Sequence, residues 1–87
     1  MLTQKEIMVA EMVLAERDGV GFEIRVKAPD MPKEEVIFNP KENVPCKRAY
    51  YEKAYNDDLQ LIANPEISIA SFKTVVAYAP LNLQGRS

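Results

Sequence analysis

The run Cys46-Lys47-Arg48-Ala49-Tyr50-Tyr51-Glu52-Lys53-Ala54-Tyr55 holds the densest group of chemically useful side chains in this 87-residue chain. A thiol next to two cations at a helix start is the setting in which cysteines become reactive. Cations interleaved with aromatics also suit single-stranded nucleic acid, with bases stacking on rings and phosphates meeting cations. Lys47, Arg48, Tyr51 and Lys53 are the candidates for that role. A plainer reading competes with each. With no histidine to act as base, Cys46 is expected to be a buried structural thiol that reacts slowly with DTNB. Tyr50, Tyr51 and Tyr55 share one helical face and are expected to pack on a sheet with their hydroxyls at the rim. Glu52, Asp57 and Asp58 dilute the local positive charge. The carboxylate doublets Glu34-Glu35 and Asp57-Asp58 are the other place for acid–base or metal chemistry. Neighbouring residues do not face one another on a helix, however, and no calcium-loop spacing surrounds them. They read as solvated surface or a helix cap.

What is missing narrows the function further. The chain has no His, one Cys and three Gly. That leaves no Ser-His-Asp or Cys-His catalysis, no His-ligated zinc, no internal disulfide and no glycine-rich phosphate loop. No cofactor and no metal are expected, and the chain is expected not to be an enzyme. Eleven Lys and Arg against 13 Asp and Glu give a net charge of −2. A phosphate-driven nucleic-acid binder carries a basic surplus instead, so nucleic acid ranks below protein as a partner. With 47% hydrophobic and 28% charged residues, the composition is that of a folded domain, and residues 1–87 read as one. The first residues resemble neither a signal peptide nor a membrane span, so the protein is expected to be cytoplasmic and free of the membrane.

Turn signals divide the chain into five pieces. Residues 5–17 admit two readings. Thr3 followed by Glu6 is a capping-box pattern that opens a helix, with Gly19 as a left-handed stop. Yet Ile7, Met8, Val9, Ala10, Met12, Val13, Leu14 and Ala15 run all round the helical wheel, and a helix apolar on every side needs complete burial. The preferred reading is a β-hairpin turning at Asp18-Gly19. Val13 then faces Ile24 and Ala15 faces Phe22 on one side, while Met12 meets Arg25 and Leu14 meets Glu23 on the other. Phe22 to Ala28 alternates as a clean strand, and Glu35 to Phe38 reads as a short edge strand. Asn43 to Ala63 is the main helix, with Pro45 in its first turn and a break expected near Asn56-Asp57-Asp58. Ile67 to Tyr78 is apolar on both alternating faces and reads as a central strand covered on two sides. Residues 79–87 form an expected tail. The fold class is α+β, an N-terminal hairpin and further strands in an antiparallel or mixed sheet with one main helix packed on it.

On that hairpin, Met8, Met12 and Leu14 lie on an outer face that one helix does not cover. Surplus apolar surface marks an interface. Met8, Met12, Leu14, Tyr51 and Tyr55 are therefore the candidate protein-interface residues, and a homodimer is the expected partner arrangement. The stretch from Tyr50-Tyr51-Glu52 through Asn64-Pro65-Glu66-Ile67 resembles, in cadence, small accessory proteins of phages and prophages. That resemblance implies docking on another protein and carries over no individual residue. The expected function is a non-catalytic protein-binding or assembly protein acting as a homo-oligomer. A nucleic-acid module built on the Lys47–Tyr55 helix is the alternative.

Overall fold

A computed structural model describes residues 1–76. Its first element is a helix, α1 (Gln4–Asp18). The capping box closes in both directions. The Thr3 hydroxyl accepts the Glu6 amide at 3.1 Å, and the Glu6 carboxylate accepts the Thr3 amide at 2.8 Å. Behind the cap stand Gln, Lys, Glu, Met, Ala, Leu and Arg, all strong helix formers, with no Gly or Pro among them. Met8, Met12 and Ala15, spaced one and two turns apart, are fully buried. Gly19 ends the helix in extended geometry, and its amide donates to the Ala15 carbonyl at 3.1 Å. The N-terminal hairpin is therefore corrected to a helix. Local capping and propensity outweigh the pairing pattern, and of the apolar residues the hairpin would have paired, Val13 and Leu14 are left partly in water while Met12 and Ala15 turn inward. Gly19 is not a left-handed stop either. It is glycine because a Cβ there would lie 2.8 Å from Thr74 Cγ2 and 2.9 Å from the Val75 carbonyl.

The sheet that follows is wholly antiparallel, in the order β2-β1-β4-β3. Its strands are β1 (Gly21–Lys27), β2 (Glu35–Pro40), β3 (Gln60–Leu61) and β4 (Asn64–Val75). β1 takes its partners from β2 and β4, not from the chain before it. It buries Phe22, Ile24 and Val26 and turns Glu23, Arg25 and Lys27 outward. β2 is the edge strand the sequence implies. β4 is internal, as expected, but a bulge at Ala70 changes what its alternation means. Val26 pairs with Ile69, whereas Arg25 pairs with Ser71. Before the bulge Ile67 and Ile69 point into the core; after it Phe72 and Thr74 do. The two apolar faces seen in the sequence are one face, used in turn. Among the described residues, β4 is thus covered on one side only.

The second helix, α2 (Val44–Ala54), follows a single 3-10 turn at Lys41–Asn43 and is shorter than the expected span to Ala63. Tyr55 is already extended, and the break expected near Asn56 is real. The Asn56 carbonyl oxygen Oδ1 accepts the amides of Asp58 and Gln60, both at 2.9 Å. Leu59, with φ of 63°, reverses the chain into β3. Leu61 and Ile62, assigned to the helix by their spacing, instead belong to β3 and the turn beyond it. α1 packs on β1 and β4, and α2 packs on α1 and β2. A single cluster joins Met8, Met12 and Ala15 to Phe22, Ile24, Val26, Val44, Tyr51, Tyr55, Leu59 and Ile69. The architecture is a small α+β domain, two helices on one face of a four-stranded sheet. The expected tail, 79–87, and the last expected strand positions lie outside the described residues.

Candidate protein-docking surface

Four of the five expected interface residues belong to the core. Met8 and Met12 fill the space between α1 and the sheet, and Tyr51 and Tyr55 are buried beneath α2. The reason is the helical spacing of α1, which turns positions 8, 12 and 15 inward together. Only Leu14 stays at the surface. The apolar surplus read from the sequence is real but sits elsewhere. On the side of α1 away from the core, Ile7, Val13 and Leu14 are 38%, 44% and 37% exposed, with Ala10 exposed between them. Glu6 in the first turn and Arg17 in the last, both exposed, close the strip at its two ends. Ile7, Ala10 and Val13 were not singled out in the sequence. The signal that could have found them was the apolar wheel itself, once it is understood as one buried side and one surface side.

α1 is held firmly behind this strip. At its N-terminal end the Lys5 ammonium donates to the carbonyls of Glu52 and Tyr55, at 3.1 and 3.0 Å. Glu52 is in the last turn of α2 and Tyr55 is its C-cap, the end of a helix where a cation is favoured. Near its other end Glu16 accepts from Arg48 Nε at 2.9 Å, and the Thr74 hydroxyl donates to the Glu11 carbonyl at 3.0 Å.

The structure does not bring Lys47, Arg48, Tyr51 and Lys53 together on one exposed face. Tyr51 is buried and cannot stack on a base. Its hydroxyl accepts from Asn39 Nδ2 at 3.1 Å, and the same amide reaches the Phe22 carbonyl at 3.4 Å. Burial raises the pKa of Tyr51, partly offset by the Asn39 hydrogen bond. Burial, and then the nearby Tyr50 and Tyr51 hydroxyls, raises that of Tyr55. Arg48 is committed to Glu16. Lys47 and Lys53 remain exposed, and Lys47 lies 5.7 Å from the centre of the exposed Tyr50 ring. Cys46 is exposed in the first turn of α2, which corrects the expected buried thiol. Its neighbour Val44 takes the buried position there.

Among the described residues no pocket is formed and no three His, Cys, Asp or Glu side chains gather as a metal site would require. No helix among them is long and apolar enough to cross a membrane. Compared with protein-family models, curated proteins and solved structures, the chain matches none.

Proposed function

We propose that this chain is a non-catalytic protein-binding or assembly protein, cytoplasmic, that docks through the outward face of α1. The observation that carries this reading is the strip Ile7–Ala10–Val13–Leu14 on a helix whose opposite side is locked into the core. Aliphatic residues in the centre with charges at the margin are the composition of an interface centre and its rim. A helix fixed at both ends presents them with little ordering left to do on binding.

The experiment is a comparative capture from native host lysate, with and without nuclease. Tagged wild-type chain is run beside a Val13→Glu/Leu14→Lys variant whose circular dichroism matches. A protein retained by the wild type through nuclease treatment, and lost by the variant, supports the reading. Equal capture by both rules out this face. Capture abolished by nuclease, and by Lys47→Ala/Lys53→Ala, would replace the reading with nucleic-acid binding.

A further inference from the structure

The α1 strip is self-complementary. Thr3, Ile7, Ala10, Leu14 and Arg17 follow one another at intervals of four, three, four and three residues, the spacing that lines one seam of paired helices. Ile7 and Leu14 stand on either side of Ala10, with Glu6 near one end of the strip and Arg17, which also reaches the exposed Asp18 carboxylate at 3.2 Å, near the other. The acidic Glu6 is in the first turn and the basic Arg17 in the last. A helix of 15 residues is about 22 Å long. Turned end for end about Ala10, it sets Ile7 against Leu14 of a second copy. Long side chains on a helix lean toward its N-terminus. Arg17 therefore reaches back over the first turn of the opposing helix, where Glu6 and the positive end of that helix lie. The carboxylate then meets the guanidinium twice, once on each side of the axis. A parallel pair would set Glu6 on Glu6 and Arg17 on Arg17.

We infer that a second copy of this chain occupies the α1 strip, in an antiparallel two-fold pairing with Ala10 at the axis. The inference rests on the reading of the strip as a docking surface and names its occupant. Alanine at the crossing lets helix axes approach to about 8 Å. At about 9–10 Å between axes, with Cα atoms about 2.3 Å from each axis, facing Ala10 Cα atoms lie about 4.4–5.4 Å apart, within disulfide reach. A contact made by one helix from each copy belongs with the small, weak interfaces of roughly 1,200 Å² or less, so association is expected at micromolar concentrations and above.

Two measurements on the full chain test this. Light scattering across about 10 to 500 μM is expected to show mass rising from one to two chains, with Leu14→Lys shifting the midpoint at least about tenfold. In a Cys46→Ser background, Ala10→Cys is expected to form a disulfide dimer under mild oxidation far faster than Arg25→Cys on the open sheet face. A chain that stays monomeric throughout overturns the second copy as occupant. The docking reading is judged separately by its capture experiment. A dimer in which Ala10→Cys cross-links no faster than Arg25→Cys overturns the antiparallel pairing. So does a dimer that Leu14→Lys leaves intact.

Discussion

Asn39 joins three elements through one side-chain amide, donating from β2 to the Tyr51 hydroxyl of α2 and to the Phe22 carbonyl of β1. Among the described residues it is the one buried polar or charged side chain. In the sequence it stands before Pro40, a pair that reads as a turn signal. Nothing in one chain marks an Asn as buried, because its partners are 12 and 17 residues away. Replacing Asn39 with Ala leaves two buried acceptors without it and costs about 1–3 kcal/mol, measured as a lower urea midpoint. Tyr55 is read at high pH. Its pKa is raised by burial, so in the folded state it keeps its proton after an unfolded tyrosine, near 10, has lost its own. Stability is whole below that value and declines as pH rises above it. Tyr55→Phe is expected to show a shallower loss between about pH 9 and 11 than the wild type, by urea unfolding at each pH. Equal slopes would remove Tyr55 as a source.

At the scale of elements, the clean alternation of Phe22 to Lys27 and the short edge segment at Glu35 to Phe38 were legible because each reports one face. α1 and β4 were harder for the same physical reason, since each carries apolar residues in two directions. In α1 the second direction is surface. In β4 it is a parity change at Ala70, which no local pattern distinguishes from a strand covered on both sides. Deleting Ala70 tests this. Without the extra residue, either Ile67 and Ile69 or Phe72 and Thr74 must turn to the open face, because a one-residue slip flips every side chain. The loss is about 3 kcal/mol or more, given roughly 1.5–3 for each large aliphatic removed from the core. Ala70→Ser, exposed and keeping the count, is expected to stay within about 0.5 kcal/mol. A deletion as mild as the serine change would refute the bulge as the device that sets the register. Lys5 offers a second check on how elements are joined. Its two hydrogen bonds to α2 carbonyls predict that Lys5→Met costs about 1–2 kcal/mol by the same measurement.

Among the described residues the helices form a single layer on one face of the sheet, and the other face carries Glu23, Arg25 and Lys27. Glu23 sits there between Arg25 at 3.7 Å and Lys73 at 3.9 Å. The same face carries Val36 and Phe38, which pair with Arg25 and Glu23 and are 47% and 39% exposed, so charge and apolar surface are mixed there, while α1 keeps aliphatics on its outer side. For the docking proposed on α1, adjacent residues of that helix separate folding from association. Met12 is fully buried, and Met12→Ala is expected to cost about 2–5 kcal/mol at any protein concentration, since it opens a cavity. Val13 lies one residue further and points outward. At low micromolar concentration Val13→Ala is expected to change stability by no more than about 0.5 kcal/mol. A partner copy that binds only the folded state adds stability in proportion to its concentration. The wild-type melting temperature is therefore expected to climb between about 5 and 500 μM, and that of Val13→Ala to climb less. If Val13→Ala instead destabilises as strongly as Met12→Ala at the lowest concentration, the outer face of α1 is covered within the single chain, and the helix has no free side with which to dock.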